Sequence, residues 1–188
     1  MLRQKMLAAA VVAGAVLVAA APTPASAALP SERKWTQDVA RVMHGSDTWL
    51  EKRVARSEGT GDRLAINLDI DNSSLASHYD PGHAIPRILK FARHADELGV
   101  VLLFNTARSG RALQLAEGEL VDAGYRVQEL CGKTDRSEQV AHSKQRCRRH
   151  FVDEGYKIIA NIGNHSTDFV GGNYERAFRL PSYGNKLT

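Results

Sequence analysis

The chain has 188 residues, 43% hydrophobic and 24% charged, with 25 Lys and Arg set against 21 Asp and Glu for a formal net charge of +4. That length supports one domain with a proper core. Setting aside residues 1–27, which hold Arg3 and Lys5 and no acid, lowers the charge to +2, too little to expect specific nucleic-acid binding through phosphate contacts.

The first five residues are cationic, residues 6–21 form an apolar run, and Pro22-Thr23-Pro24-Ala25-Ser26-Ala27 supplies small residues in an Ala-x-Ala pattern. This is the layout of a secretory signal peptide. The apolar run is short for a span of about 20 residues, so cleavage between Ala27 and Ala28 is expected, leaving an exported chain, 28–188, with no membrane attachment. Cys131 and Cys147 are the two cysteines, and in an oxidising compartment pairing is the default. The alternative is zinc held by these cysteines with His142 or His150, which no compact ligand spacing supports.

In chain order, Trp35, Val39, Val42 and Met43, then Trp49, Leu50 and Val54, recur at helical spacing, predicting one or two helices over 29–56 broken around Gly45. Residues 57–62 are rich in turn formers. An apolar strand over 64–68 follows, then two carboxylates, Asp69 and Asp71, and a polar turn. A helix is predicted over 84–98 and stopped by Gly99. The continuous apolar run 100–104 reads as a strand buried on both faces. The unit repeats: a helix to about Ala123, a strand over 125–130, a helix over 137–154, a strand over 157–162, a loop over 163–172 and a last strand over 176–180. Such alternation predicts an α/β fold, a Rossmann-like doubly wound parallel sheet, with 28–62 as an N-terminal helical segment and 63–188 as the core of a single domain.

Ligands of such sheets bind outside the carboxyl ends of the strands. Asp69 and Asp71 stand there, as do Thr106, Asn164 and Asp168. Two acids at a strand end incur desolvation and mutual repulsion, so a cationic partner is expected. Taken singly, each residue has an ordinary role: Asp-Asn-Ser is turn chemistry, Thr106 a helix cap, Lys144 a solvated helix lysine, and His78 and His83 exposed side chains.

Jointly they resemble the haloacid dehalogenase (HAD) superfamily phosphatases, and most of all the secreted acid phosphatases of the plant and bacterial class B/C type. Motif I, Asp-x-Asp-x-Thr, is matched by Asp69-Ile70-Asp71-Asn72-Ser73, with Ser for Thr. Motif II is matched by Thr106 after its apolar strand, motif III by Lys144, with Lys133 as a competitor, and motif IV by Gly163-Asn164-His165-Ser166-Thr167-Asp168. The similarity spans 64–183.

The resemblance implies an HAD-like sheet and a Mg²⁺-dependent acid phosphatase-like hydrolase cleaving phosphomonoesters. Asp69 would be the nucleophile, Asp71 the general acid and base, Thr106 a hydrogen-bond donor and Lys144 the cation that holds Asp69 ionised. Asn72, Ser73, Thr106, Ala107 and Arg108 would bind substrate. Mg²⁺ would be held by Asp69, the backbone carbonyl of Asp71, Asn164 and Asp168. Asn164 stands where the pattern has a carboxylate, which predicts weaker metal binding. Only short stretches separate Ser74 from Ala84 and Leu130 from Lys144, predicting a capless or minimally capped, open site. A phosphotransferase or nucleotidase with the same nucleophile, and a non-catalytic exported binding protein, are the rival readings.

Overall fold

The computed structural model describes residues 28–187; the expected signal segment, 1–27, lies outside the described residues. Ser31 caps α1 (Glu32–Val42), its hydroxyl accepting from the amide of Lys34. Gly45, at φ 71°, then turns the chain into α2 (Ser46–Ala55), a left-handed conformation that glycine adopts without a Cβ penalty.

The rest alternates strand and helix: β1 (Arg63–Leu68), α3 (Pro86–Glu97), β2 (Val101–Asn105), α4 (Gly110–Asp122), β3 (Glu129–Cys131), α5 (Val140–Asp153), β4 (Tyr156–Gly163) and β5 (Arg176–Arg179). The strands form one sheet in the order β3-β2-β1-β4-β5, every pairing parallel. The order reverses at β1, whose neighbours β2 and β4 lead to opposite edges. The crevice beyond the carboxyl end of β1 is therefore the topological switch point.

Side chains alternate along β1. Leu64, Ile66, Leu68 and Ile70 enter the main core with Trp35, Leu50, Phe91 and Leu120, from α1 to α4. Ala65 faces the other way, into a smaller cluster with Cys147 and Phe151 of α5. By the period of two, Asn67 and Asp69 follow Ala65 toward α5. Helices thus cover both faces, and the α5 face carries the polar residues.

The structure corrects two predicted boundaries. The strand expected over 125–130 is confined to Glu129–Cys131, because Tyr125 turns into the core and its hydroxyl donates to the Ser74 carbonyl at 2.8 Å. The helix expected from Ser137 starts at Val140, because the Asp135 carboxylate takes the amides of Ser137 and Glu138 into a tight turn. Between β1 and α3 the chain folds back through single bridges, Asp71 to Leu75 and Leu75 to Ala84, and adds no helix. Cys131 and Cys147 form a disulfide joining the end of β3 to α5, which leaves no thiolate for zinc.

Candidate active site

Asp69 is the first residue past β1, and its amide donates to the Ile162 carbonyl at 2.9 Å, which seats it between β1 and β4. Its Oδ2 accepts from Ser73 Oγ at 2.8 Å. Its Oδ1 pairs with Lys144 Nζ, which also reaches Asp168 Oδ1 at 2.8 Å and donates to the Asn105 carbonyl at 2.6 Å. Asp69, Lys144 and Asp168 retain 7%, 2% and 3% of their exposure, so the site buries two carboxylates against one ammonium.

Burial raises the Asp69 pKa and the neighbouring Asp168 charge adds to the rise, more than Lys144 and Ser73 pull it back. Burial alone would lower Lys144, but the two carboxylates outweigh it and raise the ammonium's pKa. The cluster therefore holds Lys144 firmly charged and sets two carboxylates against that one cation.

Asp71 lies at the mouth. Arg108 donates to it twice, from Nε to Oδ2 at 2.9 Å and from Nη2 to Oδ1 at 2.7 Å, a bidentate geometry that strengthens the pair. Burial works to raise the Asp71 pKa, but hydrogen bonds from Arg108 and then Ser77 win, and the net shift is downward. Arg108 is held from behind by Glu119 of α4, which accepts from Nη1 at 2.6 Å.

The turn after Asp69 is tightly wound. The amides of Ser73, Ser74 and Leu75 all donate to the Ile70 carbonyl, so only amides earlier in the turn are left to cradle a phosphate. Asn72 sits at φ 55°, a left-handed position that Asn tolerates. Its Oδ1 accepts from the His78 amide at 2.9 Å, and its Nδ2 is buried without a partner. Thr106 is fully buried at the end of β2, and its hydroxyl accepts from the Arg108 amide at 3.2 Å.

Gly163 ends β4 where a Cβ would collide with the Asp168 carboxylate, so the glycine is what lets Asp168 turn inward. The Asp168 Oδ2 accepts from the His165 amide at 2.9 Å. Asn164 is buried; its Oδ1 lies 3.4 Å from Ser73 Oγ, and its Nδ2 donates to the Leu187 carbonyl at 3.2 Å.

Of the two candidate lysines, Lys144 joins Asp69, whereas Lys133 is directed to the Arg136 carbonyl at 2.8 Å in an exposed loop. His83 pairs with Asp80 at the surface, and the His78 ring packs edge-on against Tyr79.

Four contributors escape the motif reading. Asn67 donates to Asn161 Oδ1, and Asn161 donates to the Asp168 carbonyl at 2.8 Å. Asn105 donates to the Lys144 carbonyl at 2.8 Å, returning the bond that Lys144 gives it. Arg148, one turn after Lys144 on α5 and fully buried, donates to the carbonyls of Asp168 at 2.6 Å and Gly172 at 2.9 Å, and also to that of Val170. For the asparagines the available signal was a polar amide inside or directly after an apolar strand run, where burying it is costly without a partner; Arg148 had no such signal.

A cavity of about 450 Å³ opens over these residues, with Asp69, Asp71, Lys144 and Asp168 at its floor and Ala107 and Val140 on an apolar wall. A groove of about 520 Å³ between α2 and α3 is larger but lined by surface residues such as Glu51, Arg93 and His94, with no buried charge.

The donors suit a hard divalent cation. Among the described residues no three His, Cys, Asp or Glu side chains are grouped to hold a metal, but an all-oxygen set is present. Ser73 Oγ sits within reach of both Asp69 Oδ2 and Asn164 Oδ1, so a carboxylate and an amide oxygen converge near the second buried carboxylate, Asp168. Oxygen donors of this kind, with one or two carboxylates, are what Mg²⁺ takes.

A family model described as HAD superfamily, subfamily IIIB (Acid phosphatase), matches residues 78–186, beginning just after Asp69 and Asp71. A protein named Acid phosphatase 1, from Solanum lycopersicum, is 28% identical over 103 residues, which cover 53% of this chain and 40% of the relative; the match thus spans under half of that relative's length. Two structures of the class C acid phosphatase from Bacillus anthracis share the fold. One, with tungstate bound, superposes with a TM-score of 0.62 at 15% identity, over 84% of this chain and 81% of the other. The second gives 0.63 at 16% identity, over 84% and 80%.

Proposed function

The chain belongs to the HAD superfamily, subfamily IIIB acid phosphatases, and from that premise we propose that it is an exported, Mg²⁺-dependent phosphomonoesterase working through an aspartyl-phosphate intermediate. The observation that carries this reading is the buried contact of Asp69 with Lys144 at the switch point of the sheet.

Asp69 is fixed through its own amide, and the Lys144 ammonium works against the burial that raises its pKa, so that once ionised a carboxylate oxygen is placed to attack phosphorus. Covalent catalysis of this kind splits one difficult displacement into two easier ones. The P–O bond to the leaving alcohol breaks as the Asp69–P bond forms, and Asp71 gives the alcohol its proton. Asp71 then takes a proton from the water that hydrolyses the aspartyl phosphate, releasing inorganic phosphate and regenerating Asp69.

Before the first proton transfer, Asp71 has to leave the ionised state in which Arg108 keeps it. A phosphoryl group entering the cavity offers Arg108 an alternative bidentate partner, so substrate binding and protonation of Asp71 are served by one movement. Thr106 and the early turn amides supply further hydrogen bonds. Asp69, the Asp71 carbonyl, Asn164 and Asp168 would hold Mg²⁺, which when bound neutralises charge on the phosphoryl oxygens.

Export rests on the leader-like pattern of residues 1–27; among the described residues no helix is long and apolar enough to cross a membrane. The open cavity, without a covering cap between β1 and α3, suits varied or bulky phosphomonoesters.

The test is hydrolysis of an aryl phosphate by chain 28–188, with Mg²⁺ and with EDTA, beside Asp69→Asn. Metal-dependent turnover abolished by the substitution is the expected result. Equal turnover in Asp69→Asn would remove the covalent mechanism, and no turnover at any pH from acidic to neutral would favour a binding role.

A further inference from the structure

After β5 the chain returns to the site. Leu187 is fully buried in the main core, and Tyr183 donates its hydroxyl to Asp38 of α1 at 2.8 Å. Between these anchors Tyr183, Gly184 and Asn185 all have positive φ, at 50°, 72° and 62°. Non-glycine residues persist there when their surroundings over-determine them.

The Leu187 carbonyl takes two contacts from adjacent residues of motif IV, Asn164 Nδ2 at 3.2 Å and His165 Nε2 at 2.8 Å. His165 Nδ1 also lies 3.2 Å from Asn185 Oδ1. A carbonyl oxygen only accepts. The Asn164 atom facing it is therefore the NH₂, and the amide oxygen is turned the opposite way, toward Ser73 Oγ and, through it, Asp69.

We propose that segment 182–187 orients Asn164, its Leu187 carbonyl locking the amide with Oδ1 aimed at the cation position, so that this site is built to hold a neutral amide rather than a carboxylate. The inference rests on the reading of the cavity as a divalent-cation site. A carboxylate at 164 has no donor for Leu187 and would set acceptor against acceptor in a buried contact, a costly arrangement. Asn164→Asp therefore does not upgrade the site; it undocks the segment. Leu187 is a positioning residue, acting through Asn164 without touching cation or substrate.

Two measurements on chain 28–188 test this. Hydrogen exchange followed by mass spectrometry, without metal, compares wild type with Asn164→Asp. The expected result is exchange at least about tenfold faster over 183–187, the loss of one buried hydrogen bond, with the strands still protected. Unchanged exchange there overturns the proposal. Calorimetric titration with MgCl₂ is the second measurement. Leu187→Ala, which keeps every ligand, is expected to weaken Mg²⁺ binding by about 10–100-fold, as loss of a ligand's outer partner does, and Leu187→Met to restore it. Wild-type affinity in Leu187→Ala, or tighter binding in Asn164→Asp, overturns the orienting role. A wild type that takes up no Mg²⁺ overturns the cation reading itself, and the metal-free exchange then decides separately whether Asn164 holds the segment.

Discussion

Arg108 divides its guanidinium between Asp71 and Glu119, and that division has a kinetic consequence. On the proposed mechanism Asp71 is the general acid; because kcat/KM reports ionisations of the free enzyme, an acid that Arg108 keeps below the usual carboxylate range loses its proton at low pH. The falling limb of kcat/KM is accordingly expected on the acidic side. Removing the cation in Arg108→Gln leaves burial as the dominant influence on Asp71 and raises its pKa, so that limb moves to higher pH. The displacement expected from losing one close opposite charge is about 1–3 pH units, with KM rising as a phosphate ligand is lost. A pH series of kcat/KM for both proteins checks this; a limb that stays in place would assign it to another group.

Helix α5 carries Lys144 and Arg148 one turn apart, so both face the sheet, and the helix serves the site twice. Lys144 neutralises the carboxylates, while Arg148 ties down the loop bearing Asp168 through three carbonyls. Burial lowers the Arg148 pKa, yet its planar fork satisfies acceptors on residues 168, 170 and 172 together. Arg148→Met is expected to leave those carbonyls unpaired and cost about 1–3 kcal/mol in urea unfolding. Arg148→Lys is expected to recover little, because a single ammonium cannot span the fork's contacts. Full recovery by lysine would show that only the charge matters. The disulfide at Cys147 pins the same helix to β3, so α5 is fixed at the level of the site from both its inner face and its edge.

Across the whole molecule, two carboxylates and one ammonium are enclosed where the chain leaving β1 and β4 meets α5, and on the proposed reading of this cavity as a cation site that excess of carboxylate couples Mg²⁺ binding to folding. A ligand that binds only the native state stabilises it by about 2.7 kcal/mol at 100 times its Kd. The melting temperature is therefore expected to rise with MgCl₂ concentration in wild type and to stay flat in Asp69→Asn, as thermal unfolding would show. A rise of equal size in both would place the ion elsewhere. The order of strands and helices was legible because apolar runs, helical spacing and glycine stops at 99, 124 and 155 are local signals. The true length of β3 was not, because Tyr125 belongs to the core through a bond to Ser74, fifty-one residues earlier. Asp69, Asp71, Thr106, Asn164 and Asp168 could be picked out because each stands at a strand end beside its motif. Their company could not: Lys144 over Lys133, Arg108 with Glu119, the asparagines of three strands and the return of Leu187 to Asn164 all join residues far apart in the chain. By itself, then, the sequence determined the α/β alternation, the acids at the strand ends and the leader-like start, since these depend on neighbours in the chain. Which cation meets which carboxylate, and which way the Asn164 amide points, only the tertiary structure decided, because burial and pairing are set by the residues that the packing of α5 and segment 182–187 brings against the sheet.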